Sequence, residues 1–98
     1  MTKNQKELLE ILGPDYELKT IDDELCIYRK LNPGYDIEIS GTAKRNAKIN
    51  VYVWRLHPSS GQPIEIVEKY FDIKELPALK AILAGITEKY LPAHQTQD

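Results

Sequence analysis

Tyr52 and Trp54 stand two residues apart in the stretch INVYVWRLH, residues 49–57. If that stretch is a β-strand, side chains two apart point to the same face. Ile49, Val51 and Val53 then share one face, and Asn50, Tyr52 and Trp54 the other. The same rhythm in ELCIYRKL places Tyr28 with the rings, and in YDIEISG it places Asp36 and Glu38 with them. Rings beside carboxylates suit recognition of another protein, because Tyr and Trp are enriched where binding energy concentrates. Tyr28, Tyr52 and Trp54 are the candidate anchors, and Asp36 and Glu38 would set the polarity of the contact. The plainer alternatives are cross-strand aromatic pairs stiffening a half-wet sheet, at roughly 0.2–1 kcal/mol each, or rings covered by a loop or the chain end.

A second kind of chemistry lies next to the first. Between Ser40 and Arg55 the chain carries Lys44, Arg45, Lys48 and Arg55 and no acid. Cations for phosphates and rings for bases are what single-strand binders combine. Asp36 and Glu38 on the same face would repel a phosphate backbone. The span from Asp15 to Glu24 adds five acids against one lysine. That span could instead meet a basic partner, although turn residues are commonly acidic for solvation alone. Lys44, Arg45 and Lys48 therefore mark the nucleic-acid alternative and not the leading one.

Catalysis finds little support. Cys26 lies within a predicted strand, His57 precedes a proline at a strand end and His94 lies near the chain end. A nucleophile needs a base within hydrogen-bond reach, and spacing supplies no such pair. No CxxC, no HxxxH and no dense carboxylate loop marks a metal site. The five glycines never cluster as a phosphate-binding loop requires. No enzymatic activity, cofactor or metal is expected.

The elements that must hold these residues follow from capping and periodicity. Thr2 and Gln5 are spaced as a capping box. Leu8, Leu9, Ile11 and Leu12 then give a short helix one apolar face, ended by Gly13 and Pro14. Strands are predicted over residues 16–20, 25–31, 35–41, 49–57 and 64–71, with turns at Asp22-Asp23-Glu24, at Asn32-Pro33-Gly34 and across residues 57–63. On the face away from the aliphatics the alternation places Cys26, Tyr28 and Lys30, then Asp36, Glu38 and Ser40, then Lys48, Asn50, Tyr52 and Trp54, then Glu65, Val67 and Lys69. A closing helix is announced by Asp72 and Glu75 as an acidic cap and N3 pair. Its regular part is expected to start near Pro77. Leu76, Leu79, Leu83, Ile86 and Tyr90 form its apolar stripe, and Pro92 ends it. The fold class predicted is α+β: a two-layer sandwich in which a four- or five-stranded antiparallel meander carries both terminal helices on one face. Residues 1–92 form one domain and residues 93–98 a mobile tail.

The phrases ELCIYRKL, YDIEISG, INVYVW and DIKEL resemble strand and helix-start phrases of small uncharacterised proteins from Gram-positive bacteria and their phages or mobile elements. The resemblance covers about the middle two-thirds of the chain. It implies a habitat, and neither an activity nor a functional residue.

Composition bounds the rest. At 98 residues, one core burying roughly 60–70% of the unfolded chain's surface is attainable. A net charge of −2 gives no general attraction to nucleic acid or anionic lipid. No apolar run approaches the ~18 residues of a membrane span, and the first residues lack the pattern of a signal peptide. One cysteine permits no internal disulfide. The expectation is a cytoplasmic interaction module. Its partner would be another protein or a second copy, with no membrane contact.

Overall fold

The computed structural model describes residues 1–31 and 34–91. The predicted turn at Asn32 and Pro33, the helix stop at Pro92, the tail and His94 lie outside the described residues. The order of elements is α1 (Lys3–Leu12), β1 (Glu17–Ile21), β2 (Glu24–Lys30), β3 (Tyr35–Ser40), β4 (Ile49–Leu56), β5 (Pro63–Ile73) and α2 (Leu76–Tyr90). The five strands form one antiparallel open sheet in sequence order, β1-β2-β3-β4-β5. The fold is α+β, as the sequence predicts.

Local chemistry accounts for the boundaries. The Thr2 hydroxyl accepts from the Gln5 amide while the Gln5 side chain accepts from the Thr2 amide, so the capping box is closed. Gly13, at φ 100°, ends α1 by donating its N–H to the Leu9 carbonyl. Asp22 and Asp23 both take positive φ, 50° and 66°, between the paired Ile21 and Glu24. That is the two-residue hairpin turn whose twist suits the flanking strands, and Asp tolerates it better than most residues. At the start of α2 the expectation needs correcting. Asp72 is not the cap: it sits at φ 59° inside β5, where its N–H donates to the Asn50 Oδ1 at 3.1 Å. Glu75 occupies the N-cap position with no side-chain cap bond, and Pro77 falls in the first turn, where a missing N–H costs nothing.

The aliphatic rhythm holds. Ile27, Ile37, Ile39, Val51 and Val53 share one buried cluster with Leu8 of α1 and Leu79, Leu83 and Ile86 of α2. The apolar stripes are narrower than predicted, since Ile11 and Leu76 are exposed. The docking of α1 also uses a buried polar residue the periodicity passes over. Gln5 is 1% exposed, and its amide donates to the Leu25 carbonyl at 2.9 Å and to the Thr42 hydroxyl at 3.2 Å.

In β5 the simple alternation fails. Val53 pairs with Glu68 but Trp54 pairs with Ile66, so Val67 is an extra residue in a bulge. A bulge sets two successive side chains on one side and reverses the faces beyond it. Val67 therefore packs against the core, and Ile66 takes the Trp54 face in its place. Glu65 goes with Arg55, to which it is ion-paired at 3.1 Å. Lys69 pairs with Tyr52 and so keeps the face that alternation gives it.

Candidate functional site

The sheet face opposite the aliphatic core is not the open polar surface that alternation suggests. Asp36 is 5% exposed, Tyr28 8% and Cys26 1%, and Ser40 is buried too. The cause is curvature. Strands in a flat sheet stand about 4.8 Å apart, so β1 and β5 would be separated by roughly 19 Å. Yet Ile21 and Asp22 beside the first hairpin share one hollow with Trp54 of β4 and Ile66 of β5. The sheet is thus concave on this side, as strong twist and the β4–β5 bulges favour.

Two hollows lie along the concavity and meet at Ile21, Asp22, Glu38 and Trp54. One, of about 350 Å³, lies over Tyr28 and Asp36 and is walled by Lys19, Thr20 and Pro63 as well. The other, of about 300 Å³, runs past Glu24 and Ser40 to Tyr52 and Ile66. Trp54, half-buried, forms the saddle between them, its Nε1–H donating to the Glu38 Oε1 at 2.9 Å. Tyr28 and Tyr52 do not form one cluster; each meets Trp54 from a different hollow. The Tyr28 ring lies beneath the Lys19 ammonium, 4.2 Å from its centroid. Tyr52 packs edge-on against Phe71, centroids 5.9 Å apart. Phe71 is 54% exposed and is the aromatic residue the sequence reading missed, because it assigned no face beyond Lys69.

Electrostatics sharpen the picture. Asp22, Glu24, Asp36 and Glu38 line the two hollows, against Lys19 alone. Burial raises the Asp36 pKa; the Tyr28 phenol and the charges of Lys19 and Lys30 counter it without cancelling it. Glu38 is raised as well, first by burial and further by its acidic neighbours, against the Trp54 hydrogen bond. The Asp36 Oδ1 is buried with no hydrogen-bond partner. None of the ion pairs among the described residues includes Asp36.

The other sequence candidates fall elsewhere. Lys44 and Arg45 line a hollow of about 280 Å³ with α1 residues Asn4, Glu7 and Leu8 and with Leu76 and Leu79 of α2. Arg45 is paired there with Glu7 at 3.3 Å. Lys48 is exposed at the foot of β4. Lys44 and Arg45 therefore line a different hollow from Tyr28, Tyr52 and Trp54, and the structure does not join them into one strip. Burial, then the carboxylates of Glu24, Glu38 and Asp22, pushes the Cys26 thiol up to about 12, so it is not a thiolate at neutral pH. His57 is engaged in its own loop, its Nδ1 accepting from the Ser59 and Ser60 amides.

No protein-family model, curated protein or solved structure matches this chain. Among the described residues no three His, Cys, Asp or Glu side chains converge as a metal site would need. No described helix is long and apolar enough to cross a membrane.

Proposed function

We propose that this protein is a small non-enzymatic interaction module whose concave, helix-free sheet face binds a protein partner. The observation that carries the reading is the trough itself. Two hollows meet at a half-buried Trp54, with Tyr52 and Phe71 at one end and Asp36 lining the other. Rigid rings in a concave, partly dry setting are the form that interface anchors take. Both helices pack on the opposite face in this reading, as the second layer of a sandwich, and leave the trough free. The lone thiol, Cys26, suits a reducing cytoplasm, where we place the protein.

The test replaces Tyr52 and Trp54 by Ser together. Partner capture and self-association, read by pull-down and sedimentation, should fall at least about tenfold, the loss typical of two hot-spot residues. Near-native circular dichroism must show that the variant is folded. Undiminished association by a folded double variant would remove this face from consideration. Binding of single-stranded nucleic acid by Lys44, Arg45 and Lys48 is the rival reading, and it predicts affinity that drops steeply with added salt.

A further inference from the structure

We infer that the hollow over Asp36 receives a lysine or arginine side chain from an extended basic segment of a protein partner. The inference rests on the binding face proposed above and names the chemistry that face selects.

Three observations converge on it. A buried polar atom without a partner is costly, and native proteins leave few of them. The Asp36 Oδ1 is such an atom; Asp36 stands on the central strand of the sheet and its side chain helps line a hollow of about 350 Å³. A carboxylate oxygen accepts only, so what completes it is a donor, and a charged donor is the strongest. Second, acids outnumber bases around the trough: Asp22, Glu24 and Glu38 reinforce Asp36, and Lys19 on the wall and Lys30, cross-strand from Asp36, oppose them. Third, the walls suit an organic cation. Tyr28 and Trp54 flank the carboxylate, and the Lys19 ammonium already rests on the Tyr28 ring. Ammonium and guanidinium groups are held by ring faces in this way. A bare metal ion fits less well, since no three-ligand cluster is found among the described residues. A cationic head fills only one end of the trough. The second hollow, with Tyr52, Ser40 and Ile66, has room for neighbouring residues of the same segment. A peptide therefore makes fuller use of the site than a free amine.

The probe is an acetylated, amidated heptapeptide of alternating threonine and valine with one central lysine, titrated into isotopically labelled protein and followed by amide chemical shifts. Its controls are the same peptide with norleucine for lysine, and free n-butylammonium. Saturable shifts are expected at Tyr28, Asp36, Ser40 and Ile66. Exchange of lysine for norleucine should weaken binding at least about tenfold, the factor a charge-assisted hydrogen bond carries. Asp36→Asn should weaken the lysine peptide to a similar degree. Lys19→Gln removes an opposing charge from an exposed position and should strengthen it about threefold. n-Butylammonium should bind at least about tenfold more weakly than the peptide, lacking the contacts beyond Trp54.

The norleucine control leaves the protein unaltered, so its result does not depend on how the Asp36 variant folds. If the norleucine peptide binds this face equally well, the cation inference fails and the binding face survives. If n-butylammonium binds as tightly as the peptide, the ligand is a free amine and the peptide half fails. Shifts confined to other surfaces overturn both the inference and the face. An absence of saturable shifts at millimolar peptide overturns the inference.

Discussion

Single residues show where this fold spends stability. Gly41 takes φ 75°, and a Cβ there would collide with the Lys48 carbonyl. Gly41→Ala should therefore cost at least about 2 kcal/mol in urea unfolding, through strain and backbone collision together. Asp36 is the opposite case. Its folded pKa is raised above the ordinary value, so the folded state holds that proton more firmly than the unfolded chain. Its stabilising share is present at low pH and is lost as pH rises through the raised pKa. Asp36→Asn should then leave neutral-pH stability unchanged or higher, measured by urea midpoint, while it weakens cation binding. A stability loss comparable to that of Gly41→Ala would show that Asp36 serves the fold and not a ligand.

Elements are fastened to the sheet by unlike means. α2 lays Leu79, Leu83 and Ile86 into the core, as its stripe predicts. α1 buries Leu8, rests Leu9 and Leu12 on the core, and adds side-chain bonds from Gln5 and from Asn4, which donates to the Thr42 carbonyl at 2.8 Å. Gln5→Ala would leave the Leu25 carbonyl and the Thr42 hydroxyl without their donor and should cost about 1–3 kcal/mol. Amide exchange should show α1 loosening first, before any change in β3 or β4. Gln5→Ala also opens the capping box, whereas Thr2→Ala removes only the hydroxyl half of it and should cost about 1 kcal/mol. β5 is shaped by register. The extra residue Val67 turns inward and sends Ile66 to the trough, so one bulge decides which apolar side chain the trough presents.

Across the whole molecule the acid response is set by carboxylates pulling in opposite directions. Glu68 joins β5 to α2: it accepts from the Lys89 ammonium at 2.7 Å and from the Tyr70 and Tyr90 hydroxyls. Burial alone would raise its pKa, but those bonds and the Lys89 charge outweigh it and hold it at about 2. A depressed folded pKa contributes stability that is complete above the ordinary carboxylate range of about 4.3 and disappears as pH falls toward about 2. Asp36 and Glu38, raised in the fold, relieve part of that loss as they protonate. The urea midpoint should therefore fall between pH 5 and pH 2, and Glu68→Gln should flatten that fall while lowering the midpoint at pH 7. An unchanged acid limb in Glu68→Gln would show that the Lys89 and tyrosine contacts do not hold in solution.

The α+β class, the caps of α1, the two-aspartate turn and the aliphatic core positions were legible along the chain because each depends on near neighbours or on a period of two or about 3.6 residues. Tyr52, Trp54, Asp36 and Glu38 were placed on one face by the same rhythm. What the rhythm could not contain was distance across the sheet. Curvature brings Ile21 and Asp22 to Trp54 and buries Asp36, while the loop between β3 and β4 carries Lys44 and Arg45 to α1, and none of these contacts has a local signal. The Glu68 and Gln5 anchors join residues about 20 or more positions apart. Periodicity reports which way a side chain points; what it meets there depends on how strands bend and slip, and that is settled only when all five pack together.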